Sequence, residues 1–125
     1  MKLLNTIKSR RSIMPSQYND IPVSDEQIKL ILEAANWAPT HRKTEPWRFK
    51  VLKGNSKKNL GEFLAEKYKN NSSKFSKFKY DRVLEKTKKS SVVILICMQR
   101  DPIESIPEWE EIASVSMSVQ NMWLM

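Results

Sequence analysis

A chain of 125 residues that is 40% hydrophobic can bury one core, while a net charge of +8 keeps much of its surface ionic. Two glycines, one cysteine and one histidine leave no glycine-rich phosphate loop, no internal disulfide and no zinc-ligand set, and the lone Cys97 fits a reducing compartment. No apolar run is as long as a membrane-spanning helix and the N-terminus lacks a signal-peptide core, so a cytoplasmic protein away from membranes is expected.

Leu3, Leu4 and Ile7 suit a short amphipathic helix that ends near Ser9-Arg10-Arg11-Ser12. Met14-Pro15 and Ile21-Pro22 mark an extended connection, because a residue before proline avoids the helical region. Ser24 and Gln27 have capping-box spacing, and behind them Ile28, Ile31, Leu32 and Ala35 form one apolar stripe that Pro39 closes. Trp47, Phe49 and Val51 alternate with Arg48 and Lys50, the period of a half-buried strand. Gly54-Asn55 is expected to turn the chain and Ser56 to cap a helix carrying Leu60, Phe63, Leu64 and Tyr68.

Lys69 to Ser76 reads as a polar loop, and Asp81 to Lys89 as a helix with Val83 and Leu84 inward. Between Ser91 and Met98 the run VVILIC suits a central strand covered on both faces. Asp101 to Pro107 links it to a last helix, for which Ser105 and Glu108 offer a second capping box. That helix runs from Glu108 to the end, with Trp109, Ile112, Ala113, Ser116, Val119, Gln120 and Trp123 on a broad face expected to be buried. The order helix, helix, strand, helix, helix, strand, helix gives a single α+β domain over residues 1–125. Two strands make a poor sheet, and the last helix carries no stop signal, so the domain is expected to be incomplete.

Two regions carry more charge than packing needs. Lys67, Lys69, Lys74, Lys77, Lys79, Arg82, Lys86, Lys88 and Lys89 face only Asp81 and Glu85 within their segment. Such a run is a solvated face or a surface for an anion, and the absence of a nucleic-acid-binding module argues against DNA or RNA. The stretch WAPTHRKTEPWRF, Trp37 to Phe49, holds the only histidine, two of the four tryptophans and two of the six prolines. A basic, aromatic, proline-stiffened loop of this kind has the composition of a binding segment.

Three segments together resemble the FMN-dependent nitroreductase family, and within it the small minimal-size subgroup. They are Arg10-Arg11-Ser12 after a short helix, Ala38-Pro39-Thr40-His41-Arg42 followed by Glu45-Pro46-Trp47-Arg48-Phe49, and Ala113-Ser114-x-x-Met117-x-x-Gln120-Asn121, with Pro107-Glu108-Trp109-Glu110 before the last. The resemblance implies an α+β sheet flanked by helices, truncated here by the family's C-terminal third, and an intertwined homodimer with FMN at each of two interfaces. It also implies NADH or NADPH as electron donor, nitroaromatics or quinones as acceptors, and ping-pong turnover at one open ring face. Two alternatives stay open: a flavin reductase on the same fold, and a basic protein that binds nucleic acid or another anion without catalysis.

The resemblance places Arg10, Arg11 and Ser12 against the flavin of their own subunit, and the loop from Trp37 to Glu45, with Trp37 and His41, against the partner's. The chemistry agrees for the first group, since a guanidinium makes bidentate contacts to a phosphate and a hydroxyl adds a donor. Arg10-Arg11 has a second reading, as a basic helix end opposing the macrodipole. His41 has one too, as a loop histidine bonded to backbone. Trp37 at a helix end also suits interface packing, Trp47 and Phe49 suit the core, and Cys97 suits a packed strand position. The chain departs from the family at Met14-Pro15, where a basic residue is common and Lys43 or Lys88 is the substitute. It departs again at Glu45, where glutamine is common and where a pair with Arg42 or Arg48 is expected.

Overall fold

The computed structural model describes all residues from Met1 to Met125. The elements follow the expected order: α1 (Lys2–Ser9), α2 (Asp25–Asn36), β1 (Trp47–Leu52), α3 (Gly54–Asn71), α4 (Lys77–Lys89), β2 (Val93–Met98) and α5 (Glu108–Leu124). The chain is α+β. Short 3-10 turns at Pro15–Gln17 and His41–Lys43 interrupt the connections on either side of α2. No helix is long and apolar enough to cross a membrane.

Contacts divide the chain into two compact units. The first comprises Met1–Arg11, Val23–Lys50 and Ile96–Met125. In it α2 opens on the capping box, with Ser24 Oγ accepting from Gln27 N–H at 3.2 Å and Gln27 Oε1 accepting from Ser24 N–H at 2.8 Å. Its stripe buries Ile28 and Ala35, and α2 packs on α5. The residues that α5 buries are Glu111, Ser114 and Ser118, two of them small. Asn121 Nδ2 donates at 3.1 Å to the Ala34 carbonyl, which also accepts from Trp37 N–H at 3.3 Å, so α5 ties down the end of α2. The expected buried face of α5 is therefore corrected: Trp109 is 68% exposed, and Ile112 and Trp123 are each 51% exposed.

The second unit comprises Ser12–Pro22 and Val51–Leu95 and is built on α3 packed against α4. Gly61 and Ala65 on α3 and Thr87 on α4 are its buried residues. Tyr68, Phe75 and Tyr80 cluster at the far end, with ring centroids 6.2 and 6.1 Å apart. Tyr80 donates to Glu66 Oε1 at 2.6 Å, which holds its hydroxyl above the ordinary tyrosine range. Several boundaries differ from the sequence reading. α3 starts at Gly54 (φ 49°), and Ser56 works from inside its first turn, taking the Lys53 N–H at 3.2 Å. It runs on to Asn71, because the polarity of Lys69-Asn70-Asn71 reflects an exposed face rather than irregular backbone. Ser76 then caps α4, accepting from Lys79 N–H at 3.4 Å, so that helix begins four residues before Asp81.

β1 and β2 form a two-stranded sheet. Gln99 N–H donates to the Pro46 carbonyl at 2.8 Å, setting the end of β2 beside the start of β1, an antiparallel arrangement. The expectation that β2 is covered on both faces fails here: Ile96 is 49% exposed and the rest of the strand is half-buried, Cys97 included as a free thiol. A β-branched run reports that both faces are apolar, and two strands leave both edges open. Ser105 does not cap α5. Its N–H (2.9 Å) and hydroxyl both go to Asp101 Oδ2, which holds that carboxyl below the usual range, and α5 begins after Pro107.

Candidate functional site

Arg10 follows the last turn of α1 and its N–H closes that turn on the Thr6 carbonyl at 3.0 Å. Its guanidinium lies over the Trp123 ring, 4.6 Å from the centroid, so the indole face offsets part of the cost of removing the cation from water. One terminal nitrogen, Nη1, is buried and has no hydrogen-bond partner. A buried guanidinium donor without an acceptor is a costly arrangement unless an anion completes it. Arg11 is spent differently: Nη1 donates to the carbonyls of Lys8 (2.7 Å) and Arg10 (2.8 Å), the helix-end role open to it from the sequence. Ser12 is exposed.

The second group gathers at the other end of α5. His41 Nδ1 lies 2.5 Å from Glu110 Oε2, a carboxylate partner rather than the backbone. Arg42 Nη1 reaches the Ser105 carbonyl at 3.3 Å, and Thr40 Oγ1 accepts from Glu45 N–H at 3.1 Å. The turn is strained, with Arg42, Lys43 and Glu45 at φ 51°, 54° and 43°. These contacts fix it against α5 and leave a surface depression of about 410 Å³, lined by Pro39, Thr40, His41, Trp109, Glu110 and Met117 among others. Trp37 is 80% exposed. Trp47 is buried, its indole N–H donating to Asn36 Oδ1 at 3.1 Å, and Phe49 is half-buried, as expected of residues that anchor the loop.

Glu45 makes neither expected ion pair; Arg48 Nη1 instead takes its main-chain carbonyl at 2.8 Å. Gln120 is exposed. Trp123 as a platform for Arg10, and Glu110 as the partner of His41, were not assigned from sequence. Glu110 belongs to the segment Pro107-Glu108-Trp109-Glu110, yet nothing in that sequence separates it from Glu108 and Glu111.

Glu110 and Trp123 are thirteen positions apart on α5, so the two groups are separated by about 20 Å along the axis and about 140° around it. The sequence-derived residues thus fall into two groups, Arg10 with Arg11 at one end of α5 and Pro39 to His41 at the other. One offers an anion-binding donor, and the other an apolar wall with a histidine–carboxylate pair.

The chain as a whole is similar to known proteins. Bacillus subtilis YfhC, assigned as an NAD(P)H nitroreductase, is 31% identical over 124 residues, which cover 98% of this chain and 62% of YfhC. A Desulfovibrio desulfuricans protein assigned as a nitroreductase and solved with FMN superimposes with a TM-score of 0.73 at 30% identity, over 99% of this chain and 61% of that one. A nitroreductase-like family protein of Bacillus cereus gives 0.75 at 28% identity, over 99% and 63%. The chain therefore spans a little under two thirds of the length of these three relatives. The sequence profile of the nitroreductase family matches residues 7–125, a span that includes both groups of residues, and the chain belongs to the nitroreductase family.

Proposed function

We propose that the protein is an FMN-dependent NAD(P)H oxidoreductase acting on nitroaromatics or quinones. The observation that carries this reading is Arg10, with its buried, unpartnered Nη1 held over Trp123. The dianionic phosphate of FMN is the acceptor this donor lacks, and the relative solved with FMN supports that choice. Ser12 adds a hydroxyl, and Arg11, while closing α1, keeps a cationic field at the same place. Bound there, FMN would supply the redox chemistry that links NADH or NADPH to the acceptor in a ping-pong cycle. The chain's own work is to bind, orient and shield.

Because the two groups of residues lie at opposite ends of α5, the reading makes each a half-site and includes a homodimer in which the loop from Trp37 to His41 borders the partner's flavin. The exposed apolar side chains support it: Trp37, Trp109, Ile112 and Trp123 on one unit, with Leu3, Leu4 and Ile7 on α1. Light scattering should return a dimer; a stable flavin-bound monomer would remove the shared site. A cytoplasmic setting completes the reading.

Arg10→Ala is expected to weaken FMN binding by about 1.5–3 kcal/mol, the range for a hydrogen bond to a charged group, and Ser12→Ala by less. Titrating flavin into each apo-variant measures this, and unchanged affinity in both would remove the phosphate assignment. A wild-type protein that takes up no flavin but binds RNA with a steep salt dependence would favour the anion-binding alternative.

A further inference from the structure

A place beside the partner's flavin does not by itself explain why His41 is paired with Glu110. The turn that carries His41 is held in a disfavoured conformation at three side-chain-bearing residues, by Arg42 on Ser105 and Thr40 on Glu45. Strain maintained in this way places one ring in one position. That position is the wall of a depression whose neighbouring lining residues Pro39, Trp109 and Met117 are apolar and whose ionisable lining groups are His41 and Glu110 alone. A carboxylate only accepts hydrogen bonds, so the ring carries its proton at Nδ1, facing Glu110. Nε2 makes no hydrogen bond within the chain and is the nitrogen left to work. The side chain is 57% exposed, so solvent can replace a proton given from it, while Glu110 is only 24% exposed.

We propose that His41 is the proton donor to the electron acceptor, with Glu110 as its positioning residue. This rests on the proposed function, in which the depression borders the flavin and the acceptor. Reducing a nitro group to nitroso takes two electrons and two protons and releases water, and reducing a quinone to a hydroquinone takes the same. The hydride of NAD(P)H brings both electrons and one proton, so one further proton is required. The doubly protonated ring gives it from Nε2–H, and the neutral ring that remains still donates Nδ1–H to Glu110.

Because His41 is the only histidine, its ring nitrogens give a single set of NMR signals. In the flavin-free protein the neutral ring should be protonated at Nδ1, and Glu110→Ala should shift it towards Nε2–H. A wild-type ring already protonated at Nε2 would overturn the assignment. In the flavin-loaded protein, ferricyanide is an acceptor that takes an electron and no proton. His41→Asn should lower the ratio of nitroaromatic to ferricyanide turnover, at equal flavin occupancy, by about 100-fold or more, with partial rescue of His41→Ala by added imidazole. Bound flavin with an unchanged ratio would overturn the donor role alone, whereas wild-type protein that takes up no flavin would overturn both readings.

Discussion

Glu111→Ala is expected to cost about 3–5 kcal/mol, enough to bring a domain of this size close to unfolding. Glu111 is completely buried, with Oε2 at 3.0 Å from Arg100 Nη1 and Oε1 accepting from Asp101 N–H at 2.7 Å. The Arg100 contact is short but poorly aligned for a hydrogen bond, so the attraction there is mainly coulombic. Truncation removes the anion and leaves the guanidinium, only 27% exposed, without its partner, and orphans an amide on the chain leading to α5. Arg100 also lies 3.7 Å from Glu104, but that carboxylate is 75% exposed and well solvated, so Glu104→Ala should cost less than about 1 kcal/mol. Urea unfolding of the two variants separates them, and equal losses would show that burial does not set the strength of this pair.

Gly61→Val should destabilise by about 3 kcal/mol, the upper end of the usual overpacking range. A Cβ at Gly61 would stand 2.1 Å from Thr87 Oγ1 and 3.2 Å from Thr87 Cβ. Rotating Thr87 moves the hydroxyl but not its Cβ, so α3 and α4 must separate. Against this, replacing a glycine in a helix interior gains at most about 1 kcal/mol of helix propensity, and a β-branched residue gains less. The clash wins. Adding Thr87→Ala should restore part of the loss; no recovery in the double variant would place the strain elsewhere than at this contact.

These two positions show what the sequence withholds. Ser24 with Gln27, the proline-marked boundaries and the alternation from Trp47 to Val51 are local signals, and the structure follows them. The ends of α3 and the start of α4 were misread because lysine and asparagine mark exposure, which a solvated helix shares with a loop. α5 was misread for another reason. Periodicity finds an apolar stripe but not what covers it, and this chain packs the serine side of the helix against α2, leaving the tryptophans outside. The fates of Glu108, Glu110 and Glu111 differ only through about 100° of rotation per residue, which puts one in solvent, one on His41 and one in the core. Arg10-Arg11-Ser12 was legible as a motif, yet only the coordinates separate Arg10, with a donor to spare, from Arg11, which closes its own helix.

The length of α5 has a genetic consequence. Under the shared-site reading, each flavin draws Arg10 from one chain and His41 from the other, so lesions at opposite ends of the helix belong to different sites of a mixed dimer. A chain carrying Arg10→Ala, paired with one carrying His41→Asn, makes one site with both residues intact and one with neither. Random pairing of the two defective chains therefore leaves about a quarter of all sites whole, so two alleles that are each impaired alone complement one another in part.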